Sequence, residues 1–188
     1  RYYPGNTSLR IADIAIINKI SSASKEQIEQ VRNNIKKVNP NAIIIEADSP
    51  IEVDDPNLIK GKRVLVVEDG PTLTHGEMTI GAGVVAAMQN GAKELVDPRP
   101  FAVESIQETY RIYPKIGTLL PAMGYGKKQM KDLEESINRA DCDAVVIGTP
   151  IDLRRIININ KPATRVRYYL KELSKPTIED ILRERKLI

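Results

Sequence analysis

The sequence predicts an α/β protein built from mostly parallel sheets flanked by helices in three Rossmann-like layers. Short apolar runs alternate with helix-period segments along the chain, which is the pattern of βα units. The first such unit, 11–45, has the length of a parallel βαβ crossover. With 188 residues, the chain is long enough for one large or two small α/β domains.

The first part of the chain predicts a strand, a helix and a second strand. The apolar run 11–17 is typical of a buried strand, and 42–45 is the next such run. Between them, Ser24 and Gln27 have the spacing of a capping box, and apolar side chains follow at helical spacing up to residue 38. The polar stretch 50–62 contains two prolines, two adjacent aspartates and a glycine, so we expect a linker at 51–62.

The rest of the chain predicts a second α/β domain. Its strongest strand signal is the run 63–67, which is apolar from Val64 onward. A helix rich in small residues follows and ends at Asn90-Gly91. Thr177 is the expected N-cap of the last helix. The same periodicities predict strands at 94–96, 144–147 and 164–169 and helices at 81–88, 102–110, 126–140 and 177–186. The predicted domains are therefore 1–50 and 63–188.

Composition excludes several classes of site and partner. The net charge of +3 comes from 28 basic and 25 acidic side chains that are mixed along the chain, which argues against nucleic-acid binding. One cysteine and one histidine, Cys142 and His75, are too few for an internal disulfide or for a zinc site of several cysteines or histidines. No apolar run approaches the roughly 20 residues that span a bilayer, and no secretory signal is visible. We therefore expect a cytoplasmic protein that binds neither nucleic acid nor membrane.

Polar side chains follow the predicted strands at their carboxyl ends, where ligands bind in open parallel sheets. The longest such loop runs over nine residues from Glu68 to Gly76 and contains two acids, two threonines and His75. Turns favour such residues for structural reasons, but this loop is longer than an ordinary βα connection. No lysine follows Gly76, so the loop is not a P-loop. Its backbone N–H groups can still hold an anion, and Glu68 with Asp69 can hold Mg²⁺.

These loops supply the candidate catalytic and phosphate-binding residues. Arg99 lies between two prolines directly after a strand and Arg154 follows another strand end, which favours contact with an anionic ligand. His75 can act as a general acid or base near neutral pH, although a structural role fits the sequence equally well. The predicted catalytic residues are His75, Asp69 and Arg99, and the predicted metal ligands are Glu68 and Asp69. The predicted phosphate-binding residues are Gly70, Thr72, Thr74, Gly76, Arg99, Thr149, Arg154 and Arg155.

The segment from Ala12 to Lys19, Ala-Asp-Ile-Ala-Ile-Ile-Asn-Lys, resembles the base-recognition strand of P-loop GTPases of the metallochaperone and signal-recognition type. Those proteins carry the motif A-D-(apolar)₄-N-K-x-D, and Ser21 stands where the motif has its base-reading aspartate. Asp48-Ser49 lies where the last base-contacting loop of that family falls. The resemblance implies nucleotide-binding roles for Asn18, Lys19, Asp48 and Ser49. Because of Ser21, the choice between ATP and GTP stays open.

A second resemblance covers nearly the whole chain. Four runs are similar to an archaeal and bacterial family of P-loop proteins described as predicted GTPases or as cyclic 2,3-diphosphoglycerate synthetase-like proteins. These runs are 66–76, 96–100, 120–125 and 143–155. Members of that family are longer and carry their phosphate-binding loop upstream of the region that matches Arg1. The resemblance therefore implies that 1–50 is an incomplete P-loop NTPase portion whose partner is an upstream region of the same protein.

The same resemblance implies an activity. The expected enzyme uses ATP or GTP with Mg²⁺ to close an intramolecular phosphoanhydride on a phosphorylated small acid, and this fragment alone is expected to be inactive. One alternative is a GTPase switch or a metallochaperone-like hydrolase, in which hydrolysis drives conformational change. Another is a non-catalytic α/β interaction module. A homo-oligomer is compatible with each of these.

Overall fold

The structure is a computed structural model that describes residues 4–70 and 80–188. It confirms the α/β class, with sheets flanked by helices. The chain divides into two compact units. The first unit consists of Arg1–Pro50 together with Tyr168–Ile188, and the second consists of Ile51–Arg167. In the part of the chain that the structure describes, none of the helices has the length and apolar character needed to cross a membrane.

The first unit contains a three-stranded sheet in the order β1-β2-β9. Strands β1 and β2 are parallel, and β9 lies antiparallel to β2. Its strands are β1 (Ile14–Ile17), β2 (Ile43–Asp48) and β9 (Lys171–Glu172). Its helices are α1 (Gly5–Ile11), α2 (Lys25–Val38) and α6 (Ile178–Glu184). The core between β1, β2 and α2 is formed by Ala15, Ile17, Ile35 and Ala42.

Two helices of this unit begin as the sequence predicts. Ser24 caps α2 in a capping box with Gln27, and Thr177 caps α6. Helix α1 is not among the predicted helices, and its last residue, Ile11, belongs to the predicted strand 11–17, which begins at Ile14 in the structure. The side chain of Asn39 stabilises the end of α1 by donating hydrogen bonds to the carbonyl oxygens of residues 9, 10 and 12, at 3.0, 3.3 and 2.8 Å. These carbonyls have no partner within the helix, so a buried amide replaces water at the helix end.

The last twenty-one residues lie in the first unit, whereas the sequence placed them in the second domain. The N–H of Leu173 donates to the carbonyl of Glu46 at 2.7 Å, and the hydroxyl of Ser174 accepts from the N–H of Glu46 at 2.9 Å. Ile181 on α6 is 1% exposed. The segment follows the second domain in sequence, but these two hydrogen bonds and the pairing of β9 attach it to β2.

The second unit contains a six-stranded sheet in the order β3-β8-β7-β4-β5, with β6 also paired to β4. Strand β4 is parallel to β5, β6 and β7, and β7 is parallel to β8. The strands are β3 (Ile51–Val53), β4 (Arg63–Asp69), β5 (Glu94–Leu95), β6 (Leu120–Ala122), β7 (Ala144–Ile147) and β8 (Ala163–Tyr168). The helices are α3 (Ala82–Gln89), α4 (Glu104–Ile112) and α5 (Lys127–Arg139).

Strand β4 pairs with three strands of this sheet and carries the candidate site at its carboxyl end. Residues 64–67 are each 0% exposed, which is why the sequence reads as a continuous apolar run. Strand β5 pairs with the start of β4, and β6 pairs with its end, opposite β7. The last residues of β4 therefore lie between the ends of β6 and β7.

The predicted linker 51–62 contains a strand of the sheet. Strand β3 neighbours β8, and the N–H of Asp54 donates to the carbonyl of Arg165 at 3.0 Å. The apolar side chains of Ile51 and Val53 pack against the core of this unit. The prolines and aspartates that suggested a linker flank this short strand.

Candidate functional site

Glu68, the penultimate residue of β4, has a buried carboxyl at the carboxyl end of the strand. The residue is 3% exposed. The backbone N–H of Val84 donates to its Oε1 at 2.9 Å, and the N–H of Gly83 provides a second hydrogen bond. These N–H groups belong to the first turn of α3, whose N-cap residue is Gly81. Glu68 therefore caps α3 from the neighbouring strand.

Three glycines leave the space that this carboxyl occupies. A Cβ placed on Gly81 or Gly148 would lie 2.5 Å from Glu68 carboxyl atoms, and one placed on Gly83 would lie 3.0 Å from Oε1. Gly148 directly follows β7, and Gly81 directly precedes α3. A side chain at either of these two positions would displace the carboxyl of Glu68.

The environment of Glu68 changes its acidity. Burial raises the pKa of Glu68 to about 7, because the charged form loses water. The N–H groups of Val84 and Gly83 partly oppose this shift, and the nearby charge of Asp69 adds to it. A carboxyl that titrates near neutral pH can accept or return a proton under ordinary conditions, which makes Glu68 a candidate acid or base. The sequence predicted a metal ligand at this position.

Asp69 and Gly70 complete the end of β4 beside the end of β6. Asp69 pairs with Ala122, and a Cβ on Gly70 would lie 2.8 Å from the Ala122 carbonyl oxygen. Burial raises the pKa of Tyr125, and the charge of Asp69 contributes to the shift. Asp69 therefore lies close enough to Tyr125 to affect its phenol. A carboxyl and a phenol share this edge of the sheet with Glu68.

The predicted Mg²⁺ site depends on how these two acids are placed. The carboxyl of Glu68 accepts hydrogen bonds from the backbone N–H groups at the start of α3, and it occupies the space that three glycines leave. Within residues 4–70 and 80–188, no cluster of three or more His, Cys, Asp or Glu side chains has the arrangement of a metal site. The predicted metal-binding roles of Glu68 and Asp69 stay predictions. The predicted residues Thr72, Thr74, His75 and Gly76 lie outside the described residues.

The guanidinium N–H groups of Arg99 donate hydrogen bonds to other residues of the same unit. Arg99 donates to the Asp97 carboxylate at 3.0 Å and to the carbonyl of Ile116, and its guanidinium lies 5.1 Å from the ring centroid of Tyr110. These contacts join the turn after β5 to α4 and to the segment before β6. The catalytic and phosphate-binding roles of Arg99 stay predictions, since a ligand would compete with these partners.

Arg154 follows the same local pattern as Arg99. Its backbone N–H and its side chain both donate to Asp152, at 3.2 Å and at 2.8–2.9 Å, and it lies 3.5 Å from Asp54. In both cases the guanidinium donates hydrogen bonds to the carboxylate of an aspartate two residues earlier. The sequence pattern Asp-x-Arg therefore identifies these pairs. Thr149 is 2% exposed and donates to the carbonyl of Ile151 at 2.7 Å. Arg155 is exposed.

In the first unit, the structure brings together all four predicted nucleotide-binding residues at the carboxyl ends of β1 and β2. Asn18 Nδ2 donates to Ser49 Oγ at 2.9 Å, and the N–H of Lys19 donates to Asn18 Oδ1 at 2.8 Å. Asp48 accepts from the N–H of Ser49 at 2.9 Å and from the hydroxyl of Ser21. Sequence reasoning noted Ser21 only as a departure from the motif, whereas the structure makes it a partner of Asp48. We call these five residues the β1–β2 network.

An open cleft of about 400 Å³ lies beside the β1–β2 network, between the end of β1 and α2. Asn18 belongs to both, and the turn Ile20–Ser22 joins them, since Ile20 lines the cleft and Ser21 binds Asp48. The walls of the cleft are mostly apolar. They are formed by Ile17, Asn18, Ile20, Ala23, Gln27, Ile28, Gln30 and Val31.

Together these features define an α/β protein whose two units each gather polar residues at the carboxyl ends of parallel strands. No family model matches the chain. The chain is 62% identical over 184 residues to a curated protein of Thermococcus kodakarensis named arginine synthetase ArcE. The match covers 98% of this chain and 41% of that protein, so the chain spans about two fifths of the length of the curated relative it matches.

Proposed function

We propose that this chain is a region of a nucleotide-dependent synthetase that forms arginine. The observation that carries the proposal is the 62% identity, over 184 residues, to a protein named as an arginine synthetase. A synthetase couples bond formation to cleavage of a nucleotide phosphoanhydride. The proposal therefore keeps the ATP or GTP with Mg²⁺ that the sequence predicts, and it favours synthesis over a nucleotide-driven switch.

In this proposal the end of β4 acts on the substrate. Glu68, whose pKa is raised to about 7, is the base that takes the proton lost by the nitrogen nucleophile as the new C–N bond forms and the C–O bond to a phosphate leaving group at the same carbon breaks. Asp69, at the same strand end, keeps the role of Mg²⁺ ligand that the sequence predicts. The N–H groups of Val84 and Gly83 hold the Glu68 carboxyl in the space that the three glycines leave.

The β1–β2 network serves the nucleotide in this proposal. It supplies a carboxylate, an amide and hydroxyls beside an apolar cleft, which suits the polar edge and flat faces of a base. The phosphates are bound by the upstream P-loop region that the sequence resemblance predicts, so the first unit is the remaining part of an NTPase domain. The isolated chain is then expected to bind nucleotide weakly and to be inactive.

The experiment runs the synthetase in reverse. In that direction arginine replaces the precursors from which it is formed, so they need not be identified beforehand. The full-length protein is incubated with Mg²⁺ and arginine, with either a nucleoside diphosphate and phosphate or a nucleoside monophosphate and pyrophosphate. Phosphorus NMR follows nucleoside triphosphate, which is expected to form only when arginine is present. Absence of arginine-dependent triphosphate with both adenine and guanine nucleotides would contradict the proposal.

Two parallel samples test the functions that the sequence resemblance implies. With 2,3-bisphosphoglycerate and ATP or GTP, a stable cyclic phosphoanhydride signal would instead support the phosphorylated acid as substrate. Nucleotide hydrolysis that neither compound changes would support the switch.

A matched pair of variants tests the role given to Glu68. Glu68→Gln is expected to lower turnover by about a hundredfold or more, the usual contribution of a general acid or base. Glu52→Gln removes an exposed carboxyl on β3 and is expected to leave turnover unchanged.

A further inference from the structure

Three arginines and two aspartates form a cluster beside the carboxyl ends of β7 and β8. Arg154 Nη2 donates to Asp152 at 2.8 Å and lies 3.5 Å from Asp54, and Arg167 Nη2 donates to Asp54 at 3.1 Å. The hydrogen bond from Arg154 lowers the pKa of Asp152 most, and the charge of Arg165 adds to this shift, so Arg165 lies near that carboxylate. We call these five residues the arginine–aspartate cluster. Its three guanidinium groups and two carboxylates leave a net positive charge.

Arg165 differs from the other arginines of the arginine–aspartate cluster. Its Nη2 donates to the carbonyl of Pro150, which is a neutral acceptor. Its Nε is buried and has no hydrogen-bond partner among the residues that the structure describes. A buried donor is rarely left without an acceptor, because it has also lost its contact with water. Since the residue as a whole is only half-buried, a ligand can reach the guanidinium, and a small rotation of the side chain would turn Nε toward it.

The guanidinium of Arg165 lies close to the strand end that carries Glu68. In the sheet, Ile147 of β7 pairs with Val67 of β4 and with Arg165 of β8. The Glu68 carboxyl lies against Gly148, and Arg165 Nη2 binds the carbonyl two residues further along the chain. Two residues of chain span at most about 7 Å. Side chains alternate between the faces of a sheet, so a ligand that contacts both Glu68 and Arg165 crosses over the end of β7.

The substrate in the proposed function carries an anion that fits this place. Arginine has a guanidino group at one end and an α-carboxylate at the other. With the guanidino carbon at Glu68, where the proposed reaction occurs, the carboxylate extends past Gly148 toward Arg165. The planar guanidinium of an arginine side chain binds a carboxylate through parallel charge-assisted hydrogen bonds. The carboxylate would also balance the net charge of the arginine–aspartate cluster.

We propose that Arg165 binds the α-carboxylate of the amino-acid substrate and so selects amino acids over amines that have the same side chain. This inference rests on the proposed function and deepens it. Arg165 is a binding residue here and takes no part in the proton transfer. A phosphate group has the same chemistry toward guanidinium, and the experiment distinguishes the two anions.

The test measures equilibrium binding to the full-length protein by titration calorimetry, with Mg²⁺ and with ADP, GDP or no nucleotide. Arginine is compared with argininamide, in which a neutral amide replaces the carboxylate, and with agmatine, which lacks the carboxylate. Both analogues are expected to bind at least about tenfold more weakly than arginine, since a hydrogen bond between two charged groups is lost. This comparison uses the unaltered protein and therefore does not depend on the folding of any variant.

Two substitutions of Arg165 test whether this side chain provides the difference. Arg165→Gln is expected to weaken arginine binding at least about tenfold and to leave agmatine binding unchanged, because agmatine has no carboxylate to lose. Arg165→Lys keeps the charge without the planar fork and should recover part of the affinity for arginine. Arg111→Gln is the matched control. It removes an exposed arginine of α4 that pairs with Glu108, and it should change no affinity.

The possible results separate this inference from the proposed function. Equal binding of arginine, argininamide and agmatine to the unaltered protein would overturn this inference alone. Loss of ADP or GDP affinity in Arg165→Gln, with arginine affinity unchanged, would assign the guanidinium to a phosphate and would also overturn it. Absence of arginine binding under all of these conditions would overturn the proposed function as well.

Discussion

Replacing Glu68 by glutamine should remove a specific pH dependence from the stability of the protein. Burial raises the pKa of Glu68 from 4.5 to about 7 in the folded state, whereas the unfolded chain exposes this carboxyl to water. At 1.36 kcal/mol for each pKa unit, the difference corresponds to about 3 kcal/mol. Because Glu68 is almost completely buried, solvent screening reduces this value little.

The sign follows from which state holds the proton. Between about pH 4.5 and pH 7 the folded protein keeps Glu68 protonated, while the unfolded chain releases that proton, so stability falls as the pH rises. The contribution is complete below about pH 4.5 and is lost above about pH 7. Relative to Glu68→Gln, the unaltered protein should therefore lose about 3 kcal/mol of unfolding free energy between pH 4 and pH 8.

Urea denaturation followed by circular dichroism, at one-unit steps from pH 4 to pH 8, measures this difference. Other titrating groups contribute equally to both proteins, so their effects cancel in the comparison. Glu52→Gln is the matched control, and its difference from the unaltered protein should stay flat, since that carboxyl is exposed. A constant difference between the unaltered protein and Glu68→Gln would refute the assignment of a raised pKa to Glu68.

Three further predictions concern single side chains. Gly148→Ala places a Cβ 2.5 Å from the carboxyl of Glu68 and should cost about 1–3 kcal/mol in urea denaturation, whereas Gly5→Ala, with nothing within 4 Å, should cost little. Asn39→Ala removes three hydrogen bonds to the end of α1 and should cost about 1–3 kcal/mol, with faster amide exchange in α1. Arg99→Ala should lower stability by about 1–2 kcal/mol, and a loss of turnover far beyond that would support the catalytic role predicted from the sequence.

Elements whose signals are local could be predicted from the sequence. The strand at 144–147 has the predicted bounds, and Ser24 and Thr177 cap the helices that follow them. Each of these signals lies within one element, where a buried apolar run or a capping side chain acts on its own neighbours. Local patterns of this kind determine such elements directly.

Elements that depend on distant partners could not be predicted. Strand β3 lies in a stretch rich in turn residues and becomes a strand because β8, more than a hundred residues later, pairs with it. Leu173 belongs to the first unit, where its N–H donates a hydrogen bond to the carbonyl of Glu46. The local sequence of neither segment indicates the strand with which it pairs. Pairing between distant parts of the chain therefore overrides the local composition.

Some of the candidate site residues could be predicted from the sequence, and the surroundings of others could not. The motif around Asn18 and the position of Asp48 predicted two neighbouring strand ends, and the structure brings these residues together. Arg99 and Arg154 were selected because each follows a strand, but position alone does not show whether a guanidinium is free. In both cases the guanidinium donates to the carboxylate of the aspartate two residues earlier, and this Asp-x-Arg pattern is present in the sequence.

Glu68 and Asp48 show why similar positions lead to different chemistry. Both are carboxyls at the carboxyl ends of buried parallel strands, and both accept hydrogen bonds from backbone N–H groups. Loss of water outweighs those bonds at Glu68 and raises its pKa, whereas the donors dominate at Asp48 and lower its pKa. The balance between burial and donors therefore leaves Glu68 as a carboxyl that titrates near neutral pH and Asp48 as a carboxylate at the same pH. The glycines that enclose Glu68 and the hydroxyl of Ser21 set that balance, and they come from segments that the sequence alone does not connect.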